Sequence, residues 1–474
     1  MAFNPFQEKG MALDEQIRSW TKLDVKPYDK NEVDPYTRCR VILMNGIEND
    51  AVSFKHGFSR MCPDTDLKKQ VAFTRRVEQQ QQKMINWLVP ADESVIENTI
   101  GYEQLAVDLT AVLAGLVSNS YVRKVFDFGL LDDFDHLYRY ANLLDLVEGK
   151  DANDIVKGQT EITLGRPTIA EHRHPFDSFR KFSDMNASPP LDMLCILTLT
   201  AAEQQTMNFY MNVGNRAADA TARGLYQEIG MIEEQHVSEY ENLADPRASW
   251  FEMLVLREYN ECWLYHSLIE QETDPRIRLI WHTCLSMEVE HLKMASAMFR
   301  KYQHKDAEEV WPGQVPQPLV LRSNIDYVRK CLATQVTLTA NGPDIVPVGK
   351  LPGDSKYHWY QRVVNDAFVP SQNIIQRRIN RVGEDFRIEL KGPHPVESFR
   401  DRKSVAMSSG CILEGKDVLG KDGNEIGKVK EVGYDSFLVD RRFAKDVDVP
   451  LNVVQWIARE IQLEINEDQL EKVG

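Results

Sequence analysis

The 474-residue sequence is poor in cysteine, in positive charge and in long apolar runs. Its seven cysteines (Cys39, Cys62, Cys195, Cys262, Cys284, Cys331 and Cys411) are scattered, odd in number and never spaced C-x-x-C. That excludes a disulfide framework, a zinc ribbon and a rubredoxin-type iron site. Lys and Arg total 56 against 72 Asp and Glu, a net charge of −16. Such a surface argues against nucleic acid and anionic lipid as main partners. No apolar run reaches the roughly 18 residues of a membrane-spanning helix. The N-terminus, Met-Ala-Phe-Asn-Pro-Phe, carries no signal-peptide core, so a cytoplasmic location is the expectation. Hydrophobic residues at 43% and charged residues at 27% are the balance of an ordinary globular protein.

Proline is scarce from Ser94 to about Lys301, where apolar residues recur at helical spacings of three and four. The exception is 149–190, which holds Gly158, Gly165, Pro167, Pro175, Pro189 and Pro190 and reads as a long crossover. Before this region, a short amphipathic helix near Ala12–Leu23 gives way to Pro-punctuated polar sequence, and a polar helix then runs from Pro63-Asp64 to Trp87. Short helices are expected around Asn324–Ala333 and Ser355–Val382. From Cys411 the period becomes alternating, with strands at Ile426–Val432, Ser436–Asp440, Val447–Pro450 and Ile461–Ile465. The fold class is therefore mostly α: a helical bundle built from hairpins, plus a small C-terminal β-barrel. The expected division is an N-terminal helical extension (1–93), the bundle (94–302), a helical and loop extension (303–409) and the β domain (410–474).

Three of the eleven histidines stand in one repeated pattern. Glu103 precedes Asp133 by 30 residues and His136 follows three later; Glu203, Glu233 and His236 repeat that spacing, as do Glu258, Glu288 and His291. An acid three residues before a histidine is common by chance, but three copies with the same upstream Glu are not. Residues i and i+3 share a helix face, so an acid and a histidine there can bind one cation together. Thirty residues is two half-helices and a turn, which returns the upstream Glu to the same height on an antiparallel neighbour. Each acid also sits in an apolar stripe: Ile96 and Ile100 before Glu103, Leu199 before Glu203, Ile229 before Glu233, Leu254 before Glu258, and Leu285 before Glu288. A carboxylate facing a core unpaired costs several kcal/mol or changes protonation state. These stripes hold almost no Lys or Arg, so metal ions are the economical compensation.

The segments Glu103…Asp133-Phe-Asp-His136, Glu203…Glu233-Glu-Gln-His236 and Glu258…Glu288-Val-Glu-His291 give the sequence a resemblance to the ferritin-like superfamily. The dinuclear site of that superfamily takes a Glu from each of two helices and a Glu-x-x-His from each of two others. Two hairpins suffice and three are present. A crossover at 149–190 favours the first with the second. The all-Glu ligand set favours the second with the third, and a shared or double arrangement also fits. Glu203, Glu233 and His236 belong to both pairings.

The resemblance implies two iron ions, with manganese as the alternative, that activate dioxygen or peroxide to oxidise a substrate with an external electron donor. It leaves open a peroxide-scavenging or metal-handling protein of rubrerythrin or manganese-catalase type, and a non-catalytic, metal-stabilised scaffold. Gly420–Lys430, Phe437–Asp440 and Val447–Pro450 resemble a PRC-barrel domain. That likeness implies a docking module for an electron donor or another protein, and the chain is compatible with a homo-oligomer.

Overall fold

The computed structural model describes residues 3–400, 415–432, 436–441, 444–450, 453–457 and 460–470. The expected 409/410 boundary and Cys411 lie outside these residues. Eight long helices make up most of the fold: α1 (Pro35–Met61), α2 (Thr65–Asn86), α3 (Val95–Leu116), α4 (Ser120–Glu148), α5 (Pro190–Val213), α6 (Ala220–Glu241), α7 (Trp250–Gln271) and α8 (Pro275–Gln303). Their starts are written in the sequence. The Asp34, Asp64, Asn119, Asp219 and Asp274 side chains accept hydrogen bonds from first-turn N–H groups. Ser94 with Glu97 and Ser249 with Glu252 form reciprocal capping boxes.

Consecutive helices pack as four antiparallel hairpins, α1–α2, α3–α4, α5–α6 and α7–α8. The two middle hairpins associate through α3 against α5 and α4 against α6, forming an inner four-helix bundle. The first and last hairpins form an outer bundle, with Thr37 Oγ1 on Glu272 at 2.7 Å and Arg257 on Asp50 at 3.0 Å joining its halves. Helix α1 also packs on α3 and α5, which seats one bundle on the other.

The same layout occurs twice along the chain, 155 residues apart: Pro190 starts a helix as Pro35 does, Ala220 as Thr65, Trp250 as Val95 and Pro275 as Ser120. The register extends to the short one-turn helices before each set, Leu13–Gln16 matching Thr168–Glu171 and Trp20–Leu23 matching Pro175–Ser178. It also reaches the left-handed residues that end α4 and α8, Gly149 (φ 65°) and His304 (φ 57°). The inner bundle therefore joins the second hairpin of the first repeat to the first hairpin of the second. The outer bundle joins the remaining two. Residues 149–190 are the expected crossover: they carry the chain from the end of α4 to the other end of the bundle, where the Ser118 and Asn119 N–H groups bond Asp192 in the first turn of α5, and they also form the lead-in of the second repeat.

Two local expectations are corrected. The region 1–60 holds the 27-residue helix α1, not only short helix and polar coil. Its buried Arg38, Arg40, Asn45, Glu48 and Lys55 break the apolar stripe by which a helix is read. The helix expected near Ala12–Leu23 is two single turns, because the Gln80 side chain takes both the N–H (2.8 Å) and the C=O (3.0 Å) of Arg18 between them.

Beyond the bundles, helices Ile325–Gln335 and Pro370–Val382 lie where short helices are expected and pack on α4, the second also on α6. The C-terminal β domain has six described strands: β1 (Asp417–Leu419), β2 (Glu425–Val432), β3 (Ser436–Asp440), β4 (Val447–Pro450), β5 (Val454–Ile457) and β6 (Glu460–Leu463). They form one sheet in the order β4-β3-β2-β1-β6-β5, with β1 and β6 parallel. Val418, Val429, Phe437, Val439, Val449, Ile461 and Leu463 form its core. Four of these strands coincide with those read from alternation. Among the described residues no helix is long and apolar enough to cross a membrane.

Candidate metal centre

In the middle of the inner bundle each helix offers its carboxylate at one level. Glu103 comes from α3, Asp133 and His136 from α4, Glu203 from α5, and Glu233 and His236 from α6; all are buried. Both imidazoles turn Nδ1 inward. His136 Nδ1 lies 3.0 Å from Glu233 Oε1 and 4.0 Å from Glu103 Oε2. His236 Nδ1 lies 3.3 Å from Glu233 Oε2, 3.3 Å from Asp133 Oδ1 and 3.9 Å from Glu203 Oε2. Two ligand groups result, Glu103–His136–Glu233 and Asp133–Glu203–Glu233–His236, each with its atoms within 4.8 Å of one another. Glu233 belongs to both. Asp133, one methylene shorter than Glu, reaches only one.

The outward nitrogens are tethered. His136 Nε2 meets Glu171 Oε2 at 2.9 Å, and His236 Nε2 meets Asp132 Oδ2 at 3.2 Å. Carboxylates behind histidine ligands fix ring orientation and raise basicity, as the outer shell of a metal site does. Glu171 comes from the turn Thr168–Glu171, which is anchored by Thr168 N–H on Asp135 Oδ2 at 2.9 Å and by Gln235 Nε2 on the Glu171 carbonyl at 3.2 Å. Arg166 pairs with Asp132, and Arg173 lies 3.4 Å from it. The cations missing from the helix stripes are thus delivered by the loop, beside the histidines. His172 and His174 of the same loop point elsewhere: His172 lies 3.6 Å from Glu228, and His174 accepts from the Phe176 N–H.

The electrostatics follow from this crowding. Burial pushes Glu203 up to about 7 and Glu171 up to about 8. Burial and neighbouring acids hold Glu103 and Asp133 well above the usual carboxylate range. Burial also acts on Glu233, but His136 and His236 hold it down at about 2. Burial opposes charge on the two histidines, yet the carboxylates around them keep both well above the usual imidazole range. A cluster this crowded with buried carboxyls resists its full negative charge, which bound cations would offset. Glu103 Oε2, Asp133 Oδ1, His136 Nδ1, both Glu203 oxygens, Glu233 Oε2 and His236 Nδ1 are buried and make no hydrogen bond. Orphaned buried polar atoms are rare in folded proteins, and seven gathered in two ligand groups that share Glu233 fit a bound cation set.

The third sequence triplet, Glu258, Glu288 and His291, lies in the outer bundle. Its partners there are Glu48, Glu78 and Gln81 of α1 and α2. Glu48 and Glu78 repeat the 30-residue spacing, a signal hidden because Gln81 stands where a histidine was sought. Glu78, Glu258, Glu288 and His291 place ligand atoms within 4.8 Å of one another, with the Lys55 amine against Glu78 and Glu258. The aromatic residues along these faces do more than pack: Tyr210 donates to Glu103, Tyr265 to Glu48, and Trp281 Nε1 to Glu272 at 3.1 Å. A cleft of about 670 Å³ at the seam of the bundles is lined by Asn45, Trp87, Tyr102, Gln205, Asn208 and Phe209, close in sequence to Glu103 and Glu203. No protein-family model matches the chain, and neither a curated protein nor a solved structure matches it significantly.

Proposed function

We propose that the inner bundle binds two metal ions, iron in preference to manganese, and uses them to activate dioxygen or peroxide for the oxidation of a substrate, as the likeness to the ferritin-like superfamily implies. The observation that carries this reading is the pair of ligand groups sharing Glu233, built from orphaned buried atoms of four helices. Glu103, His136 and Glu233 would hold one ion, and Asp133, Glu203, Glu233 and His236 the other. Iron bound there supplies Lewis acidity and reversible electron exchange for the reduction of dioxygen or peroxide.

The chain's own part is positional. Glu171 and Asp132 hold the outer nitrogens of His136 and His236, and Tyr210 holds one oxygen of Glu103. Arg166 and Arg173 keep Asp132 anionic: burial works against its charge, but these cations and His236 pull it well below the usual carboxylate range. The buried walls exclude water from the ligands. In this reading the C-terminal sheet docks an electron donor or a second protein.

Elemental analysis of protein purified without added metal tests the proposal. Two equivalents of iron or manganese are expected, with loss on Glu203→Ala or His236→Ala. Oxygen consumption by the reduced, iron-loaded protein then separates an oxidant-activating enzyme from a scaffold. Metal content unchanged in both variants would remove the reading.

A further inference from the structure

The 155-residue register allows the two centres to be compared position by position. Glu258, Glu288 and His291 of the outer bundle stand where Glu103, Asp133 and His136 stand in the inner one; Glu48, Glu78 and Gln81 stand where Glu203, Glu233 and His236 stand. The contacts correspond as well. Tyr210 donates to Glu103 in the inner bundle, and at the matching position Lys55 puts Nζ 2.7 Å from Glu258 Oε1 and pairs also with Glu78. His136 Nε2 meets Glu171 in the inner bundle, and His291 Nε2 meets Gln16 Oε1 at 2.8 Å in the outer one. In place of His236, Gln81 donates through Nε2 to Glu288 Oε1 at 2.5 Å.

Each of these three exchanges acts against a bound cation, while a fourth, Glu261 for Ala106, adds a buried carboxyl that burial and Glu288 push well above the usual range. A histidine ligand becomes an amide that donates into the cluster, a carboxylate behind a histidine becomes a neutral amide, and a tyrosine becomes a primary amine. The Lys55 side chain is 1% exposed, so its end group meets carboxylates rather than water. Its amine lies against Glu78 and Glu258, two of the four residues whose ligand atoms gather there. A metal ion and an ammonium cannot share that space, and their charges repel.

We propose that the outer centre is a closed twin of the inner one, in which the Lys55 ammonium is the built-in cation, and that removing Lys55 opens a site for a divalent transition metal. The comparison of stoichiometries rests on the inner-bundle reading, but the gain of binding does not. The probe is Co(II), followed by its visible absorption and by equilibrium dialysis on the full chain, with helicity checked by circular dichroism. With the inner centre disabled by Glu233→Ala and His236→Ala, which together leave only two ligands in each group, the chain is expected to bind no Co(II). Adding Lys55→Tyr and Gln81→His, the residues of the matching inner positions, is expected to restore at least one equivalent. A disabled chain that keeps Lys55 and still binds an equivalent overturns the proposal, as does a folded quadruple variant that binds none. Should the quadruple variant not fold, Lys55→Met in the otherwise native chain is expected to raise the Co(II) content by one equivalent, and unchanged content overturns the proposal. If the native chain binds no Co(II) while the Lys55 variants gain it, the inner reading fails and this one stands.

Discussion

In the inner bundle Glu103 accepts from a tyrosine hydroxyl; in the outer bundle its counterpart, Glu258, is ion-paired with the Lys55 ammonium. Behind His136 stands the Glu171 carboxylate, and behind His291 the Gln16 amide. The helices carrying these residues begin at matching positions, and the capping box at Ser94 recurs at Ser249. The scaffold therefore does not decide what fills its centre. A few side chains on that scaffold do, by leaving the cluster of acids open to an added cation or by setting an ammonium among them.

The comparison can be broken most sharply at Lys55. Truncating one member of a buried ion pair leaves the other charged and unpaired, a cost of about 3–5 kcal/mol. Lys55→Met is expected to lose that much in urea unfolding of metal-free protein. Tyr210→Phe at the matching position removes one hydroxyl donor and is expected to lose about 1–2 kcal/mol. Equal losses would mean that the lysine carries no special burden.

A smaller effect is expected behind the histidines. Glu171→Gln makes the inner centre resemble the outer one, and loss of such an outer partner lowers metal affinity roughly 10–100-fold. A metal titration against a competing chelator reads this directly. Unchanged affinity would show that the carboxylate serves the loop rather than the centre.

The smallest effect lies at the end of the hairpins, where the inner bundle has Val117 and the outer bundle Glu272. Glu272 accepts from Arg40 Nε (2.9 Å), Thr37 Oγ1 (2.7 Å) and Trp281 Nε1 (3.1 Å). Burial pushes its carboxyl up, but Arg40 and Thr37 pull it below the usual range. Its folded pKa is thus below its unfolded value of about 4.3. The stability it contributes is present above that value and is lost as pH falls through the depressed one. Glu272→Gln is expected to be less stable than the native chain at neutral pH and to converge with it in acid, as urea midpoints at the two pH values will show.

Much of the inner centre is legible in sequence, because an acid and a histidine at i and i+3 with a Glu 30 residues upstream is a pattern that geometry demands. The four strands read from alternation are legible for the same reason. What stays hidden has a physical cause in each case. Glu48 and Glu78 obey the spacing, but Gln81 removes the histidine that draws attention to it. Lys55 lies two turns from Glu48, on the inward face between buried Ala51 and Phe58, where a lysine interrupts the apolar stripe that would mark that face. Glu171 and Arg166 reach the centre from a proline-rich segment whose path only tertiary packing fixes. The 155-residue repeat survives in helix starts, caps and acids such as Glu97 and Glu252, while most of the surface between them has diverged.

In a twofold assembly of two separate, identical chains, any change in one centre is written into the other as well, so a lysine that closes one closes both. Here the two half-sets are covalently continuous, and each centre draws one hairpin from each half. A substitution at residue 55 is therefore felt once. The linkage that makes each half incomplete without the other is also what releases the two centres from having to stay alike.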